Sequence, residues 1–311
     1  MARALPTTAR AERRSFGTAA EDWIDRRLPI LFPLPAALTM IAIVAAPVLY
    51  VAWLSFYEWT LTSARPSTFV GLDNYVNLLT RDTRFRNSVW VTVIFTVVSV
   101  AIQMALGLGI ALLLNREFRG KSVARAAIML PMIATPAAMA LVWRVMFNPQ
   151  LGILNELLRE IGHPGFLWVA HPSTALASLI AVEVLRETPM TVIILLAGLQ
   201  SLPSEPYEAA RIDGASSRQT FWHITLPLLR SAIMVALIFR AIFTLKVFDV
   251  IYVITGGGPN YATENFTIFA YLQSFTYFRM GYGAATAMLF FLMVLAVVLP
   301  MIAWRRKSWE Y

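Results

Sequence analysis

Seven ionisable residues lie inside segments that are otherwise mostly apolar, and they are the residues best placed to do chemistry. Glu183, Arg186 and Glu187 sit near the middle of one segment, Arg240, Lys246 and Asp249 sit in another, and Arg144 sits near the outer end of a third. An ionised group at a bilayer centre costs about 2.5–3.5 kcal/mol on insertion scales, so these side chains turn away from lipid. Glu183 with Arg186, and Lys246 with Asp249, are three residues apart, the spacing at which helical neighbours pair. Two uses are open to them: ties between helices, or a lining that exchanges hydrogen bonds with the hydroxyls of a polar solute. Trp143, Phe243, Phe248 and Tyr252 offer faces on which a pyranose ring could stack; packing or interfacial anchoring is the alternative for each. Tyr252 and Asn260 fall toward the outer mouth. Glu183 with Glu187 is the one pair that suggests acid–base catalysis, and no nucleophile–base set accompanies it. His163, His171 and His223 are scattered through loops, and no His/Asp/Glu spacing suggests a metal. Arg119-Gly120-Lys121-Ser122 looks like the end of a phosphate-binding loop, but Asn115 stands where the first Gly is needed and no strand precedes it. No ATP site is visible.

The elements that must hold these residues are membrane helices. Of 311 residues, 58% are hydrophobic and 14% charged, a balance that a water-soluble domain rarely reaches. Six segments have the length and composition of a span: residues 30–56, 88–114, 123–147, 174–199, 228–254 and 284–304. Four prolines between Pro29 and Pro47 predict an irregular first span, read as an uncleaved anchor. Gly107, Gly109 and Ala137-Ala138 predict close helix packing. The net charge of +8 could point to nucleic acid; cytoplasmic loops enriched in Lys and Arg explain it better. Arg116, Arg119, Lys121, Arg125, Arg211, Arg218, Arg230 and the Arg-rich termini fall on one side, against Arg65, Arg81, Arg84, Arg86, Arg159 and Arg279 on the other. Both termini are therefore expected in the cytoplasm, with tails at 1–29 and 305–311 flanking one membrane domain at 30–304. Cysteine is absent, so no disulfide is possible.

One polar insert, 202–227, separates two apolar segments. Ser204 is the expected N-cap of a short helix ending near Ile212. Asp213-Gly214 breaks it. Ser216-Ser217-Arg218-Gln219 fits a capping box for a second helix, which Pro227 should close. Ala209 and Ala210 leave room for another protein's groove, and Glu208 with Arg211 could hold a register.

The pattern Glu208-Ala209-Ala210, three residues, Gly214, nine residues, Ile224-Thr225-Leu226-Pro227 resembles the EAA loop of ABC importer permeases, the segment that docks on the ATPase. Phe69-Val70-Gly71-Leu72-Asp73-Asn74-Tyr75, Leu130-Pro131, Ala197 to Pro203, and Phe248-Asp249 through Gly256-Gly257-Gly258-Pro259 are similar to the maltose-type sugar permeases, and to the first of their two permeases. The maltose prototype's large periplasmic insert has no counterpart, so nothing about it carries over. The resemblance implies an all-α type I ABC importer permease fold in a bacterial inner membrane. It implies a second homologous permease, an ATPase dimer that binds ATP and Mg, and an external solute-binding protein. It makes Glu208, Ala209, Ala210, Asp213, Gly214, Ile224, Leu226 and Pro227 the coupling positions. The expected cargo is an oligosaccharide or glycoside, with glycerol phosphate or a sulfonated sugar as the alternative. An ion-coupled secondary transporter would have no use for the docking insert.

Overall fold

The helices begin where local chemistry says they should. The computed structural model describes residues 27–30 and 32–307; side chains are described through Trp304. Most of the expected N-terminal tail, and residues 308–311 of the C-terminal one, lie outside the described residues. Residues 1–51 and 52–311 divide into two units. Most of α1 (Leu34–Leu54), which carries Pro47 inside it, belongs to the first.

In the second unit a small hairpin, β1 (Tyr57–Glu58) with β2 (Thr68–Phe69), leads to the short α2 (Asp73–Val76) and a π-helical turn. Gly71, with φ +58°, turns the chain into this helix. Asn74 is buried and explains the motif: its Nδ2 donates to the carbonyls of Ser55 (2.9 Å) and Tyr57 (3.0 Å). Replacing Asn74 with Ala leaves both carbonyls without that donor, at a cost of about 1–3 kcal/mol. We expect faster proteolysis of the 57–70 hairpin in membranes opened to an external protease; an unchanged cleavage rate would contradict this role.

Next come α3 (Thr83–Asn115), α4 (Lys121–Ile133), α5 (Pro136–Met146), α6 (Ile153–Glu160) and α7 (Pro172–Gln200). Asp82 caps α3 by accepting from Phe85 N (2.9 Å). The insert supplies α8 (Glu205–Ile212) and α9 (Ser217–Thr220). Then follow α10 (Leu226–Leu245), α11 (Asp249–Ile254), α12 (Phe266–Tyr271) and α13 (Met280–Lys307). The last helix outruns its expected end at 304 by three residues. Phe95, Leu179 and Ile251 centre one apolar core, Leu195 and Leu229 a second, and Phe85 and Phe266 a third.

One expectation about spans needs correction. Residues 123–147 do not form one straight span: α4 and α5 meet at 91°. Pro136 disfavours helical geometry at the residue before it, and Ala134 and Thr135 are both extended (ψ 140° and 143°). Residues 228–254 fall within one candidate span, Ser217–Ile254, although helical geometry lapses at Lys246–Phe248, where Phe248 has φ −131°. Among the described residues, four helices are long and apolar enough to cross a membrane, or five if the bent pair counts as one. The fourth expected segment, α7, misses that standard because Glu183, Arg186 and Glu187 interrupt its apolar run. The close packing expected at Gly107 is present, since an added Cβ would lie 2.6 Å from Thr191 Cγ2; at Gly109 nothing lies within 4 Å.

Candidate functional site

α3, α7 and α10 bring the intramembrane charges together. α10 presents Arg240, only 1% exposed. Its guanidinium donates to Glu187 Oε2 (2.6 Å), Glu183 Oε1 (3.3 Å), Gln103 Oε1 (2.9 Å) and Thr244 Oγ1 (3.1 Å). Arg186 Nη2 lies 3.0 Å from Glu183 Oε2 and 2.9 Å from Glu187 Oε1. Gln103 Nε2 donates to the Glu183 backbone carbonyl (3.2 Å). Two cations thus face two carboxylates across three helices. This satisfies the rule that a charge removed from water must be paired and hydrogen-bonded. The predicted Glu183–Arg186 pair is present. Gln103 and Thr244 were not anticipated; an amide in the middle of an apolar span was the available signal for Gln103.

The predicted Lys246–Asp249 pair is absent. The chain leaves helical geometry between them, so the three-residue spacing no longer stacks the side chains. Lys246 instead rests 5.3 Å from the Phe243 ring centroid. Both residues line a cavity of about 500 Å3 together with Glu183, Arg186, Glu187, Phe243 and Phe248. Five of the eight expected path residues therefore share one chamber, with Arg240 buried in the ion-pair network behind it. A chamber of this size lies within the ~300–1,000 Å3 range of small-molecule sites.

Tyr252 and Asn260 are not part of that lining. Tyr252 stacks on Phe248 (centroids 5.0 Å apart), and Asn260 is exposed on the glycine-rich loop with φ +49°. Trp143 packs against the core instead. The glycine-rich loop is pinned by Arg84, whose Nη2 lies 2.6 Å from Glu264 Oε2. Burial pushes the Glu264 carboxyl above the usual carboxylate range, against the opposing pull of Arg84.

The polar insert has two faces. On α8, Glu205, Glu208, Ala209 and Ile212 are exposed, whereas Pro206, Tyr207 and Ala210 turn inward. Ala210 is buried, so only Ala209 of the alanine pair offers a surface for close approach. Ile212, missed in the sequence, is 86% exposed. Glu208 and Arg211 are not paired among the described residues. Ser204 has helical dihedrals and makes no capping bond with its side chain. Gly214 has φ +73° and turns the chain, and the Ser216–Gln219 capping box is complete in both directions. Pro227 does not close α9. It occupies the first turn of α10, where its missing N–H costs nothing, and the helix runs on through the π-turn Phe221–Thr225. Ile224 and Leu226 lie half-buried along this run. Tyr207 Oη donates to Thr225 Oγ1 (3.2 Å), tying α8 to its base.

Comparison with known proteins gives this geometry a context. The chain is 38% identical over 275 residues to the trehalose/maltose transport system permease protein MalF of Thermococcus litoralis, covering 88% of this chain and 91% of that one. It is 34% identical over 273 residues to the sulfoquinovosyl glycerol transport system permease protein SmoG of Agrobacterium fabrum, covering 88% of each. In fold it is similar to a chain of a bacterial alginate ABC transporter solved in complex with an alginate pentasaccharide-bound periplasmic protein. The TM-score there is 0.80 at 20% identity, over 92% of this chain and 96% of that one. Residues 103–303 match the model of the binding-protein-dependent transport system inner membrane component family. The chain is a multi-pass membrane protein and belongs to that family.

Proposed function

We propose that this chain is one of two homologous permeases of an ATP-driven importer in a bacterial inner membrane. It carries a sugar, an oligosaccharide or glycoside, handed over by a solute-binding protein outside. In this reading the chain crosses the membrane six times, α7 included, with both termini in the cytoplasm. α8 and α9 dock on an ATPase dimer, which supplies the ATP and Mg chemistry; the permease performs none. The names of the trehalose/maltose and sulfoquinovosyl glycerol relatives support a sugar. The second of them also favours, as an alternative, a sulfonated or otherwise anionic sugar.

The observation that carries the proposal is the unbroken helical run from Ser217 to Leu245. One end is the exposed insert; Arg240 and the charged chamber lie near the other. A displacement of α9 by the ATPase is delivered along a stiff rod, and alternating access follows when that rod shifts against α7. Inside the chamber, Asp249, Lys246 and Glu187 would exchange hydrogen bonds with hydroxyls, and Phe243 and Phe248 would offer ring faces.

The chain has no cysteine, which makes site-directed crosslinking clean. A single cysteine in place of exposed Ile212 should form a disulfide with cysteines in the groove of the co-purified ATPase and block ATP-dependent sugar uptake until reduced. If no position on α8 captures the ATPase while uptake stays ATP-driven, the docking assignment is wrong.

A further inference from the structure

A second, larger cavity of about 690 Å3 opens between α3, α4 and α7, away from the charged chamber. Its walls include Val98, Ile102, Ile110, Ile128, Pro131 and Leu185. From Val98 to Ile110 the groove follows α3 for about 18 Å at helical rise, comparable to one leaflet of a ~30 Å hydrocarbon core. Beyond Ile110 the same two helices α3 and α4 are joined by a basic turn. Arg116, Arg119, Lys121 and Arg125 fall within ten residues, against one carboxylate, Glu117, which Lys121 engages at 2.7 Å. Arg116 and Arg119 are exposed. Arg125, one turn before Ile128 of the groove wall, has its Nε buried without a hydrogen-bond partner.

We propose that the groove and the basic turn together bind an anionic phospholipid. Its phosphate sits on Arg119 and Arg125, and one acyl chain lies along α3 toward Val98. An apolar slot alone would accept any lipid. A juxtamembrane cluster of cations adds about 1 kcal/mol per Lys or Arg toward an anionic headgroup, and the unpartnered Arg125 Nε gives a phosphate oxygen a specific donor. The leaflet is the cytoplasmic one, which rests on the orientation proposed above; the site itself does not depend on transport.

The test uses the full chain, co-expressed and purified with its transport complex and reconstituted into nanodiscs of equimolar dioleoylphosphatidylglycerol and dioleoylphosphatidylcholine. Native mass spectrometry of the ejected complex should show phosphatidylglycerol retained over phosphatidylcholine by about thirtyfold, as expected from two cations at about 1 kcal/mol each. Arg119→Gln with Arg125→Gln should bring the ratio near parity. Ala181→Phe, on the exposed groove wall, keeps every cation and should reduce retention of both lipids. Three results would each overturn the proposal: no preference in the wild type, a preference that survives loss of both arginines, or full retention with the groove filled. Crosslinks that place the second permease inside the groove would overturn it too. Loss of ATP-driven uptake with lipid retention intact would count against the transport reading alone.

Discussion

Gly214→Val should reduce uptake to background while the protein still inserts and accumulates normally. Gly214 holds φ +73°, in the left-handed region, and no atom lies within 4 Å of where a Cβ would point. The substitution therefore meets no neighbour, and its whole effect falls on the backbone. A β-branched residue there costs roughly 1–3 kcal/mol of strain, relieved if the turn between α8 and α9 opens. The exposed face of Glu208, Ala209 and Ile212 would then no longer keep its angle to the rod. Asn tolerates the left-handed region, so Gly214→Asn should retain most uptake. The informative measurement is uptake beside basal ATP hydrolysis in the reconstituted complex. Normal uptake by a well-expressed valine variant would remove this turn from the coupling path.

Arg240→Met should be the most destabilising single change among the residues of the ion-pair network. It leaves Glu183, 1% exposed, facing only Arg186, and removes the guanidinium bonded to Glu187 and Gln103. Breaking a buried ion pair from one side costs about 3–5 kcal/mol. Thermal melting of the detergent-solubilised chain should show this as a large drop in midpoint. Adding Glu187→Gln should recover much of it, because the remaining Glu183–Arg186 pair is then balanced. Lys246→Met, which breaks no ion pair, should melt near the wild type. An Arg240→Met protein that melts like the wild type would return the network to incidental contact.

The contrast between those residues shows what a sequence makes legible. Local rules worked for several local partners, though not for the Ser204 cap or the Glu208–Arg211 pair on α8. The capping box of Ser216 and Gln219, the break at Gly214 and the Glu183–Arg186 pair all lie within four residues, and all formed. The same spacing failed for Lys246 and Asp249, because it presumes a helix that the chain abandons at Lys246. The bend before Pro136 was written in the proline, yet a long apolar run outweighed it in the reading of spans. Which partners Arg240 takes could not be read at all. Gln103 and Glu183 are 137 and 57 residues away, and only the packing of α3, α7 and α10 makes them neighbours. The polar insert was legible as a motif. Its inward and outward faces, which bury Ala210 and expose Ile212, needed the fold.

In the proposed importer the uninterrupted rod would also set a gear ratio. Arg240 is held by α3 and α7, so it would be the pivot for a tilt of α9 and α10. At helical rise the arm from Ser217 to the pivot is about 35 Å and the arm from the pivot to Lys246 about 9 Å, so travel is reduced roughly fourfold between them. Force rises as travel falls. A broad swing at the membrane surface would arrive beside the chamber as a short, strong displacement, and the non-helical link at Lys246–Phe248 would let α11 stay still while it happens.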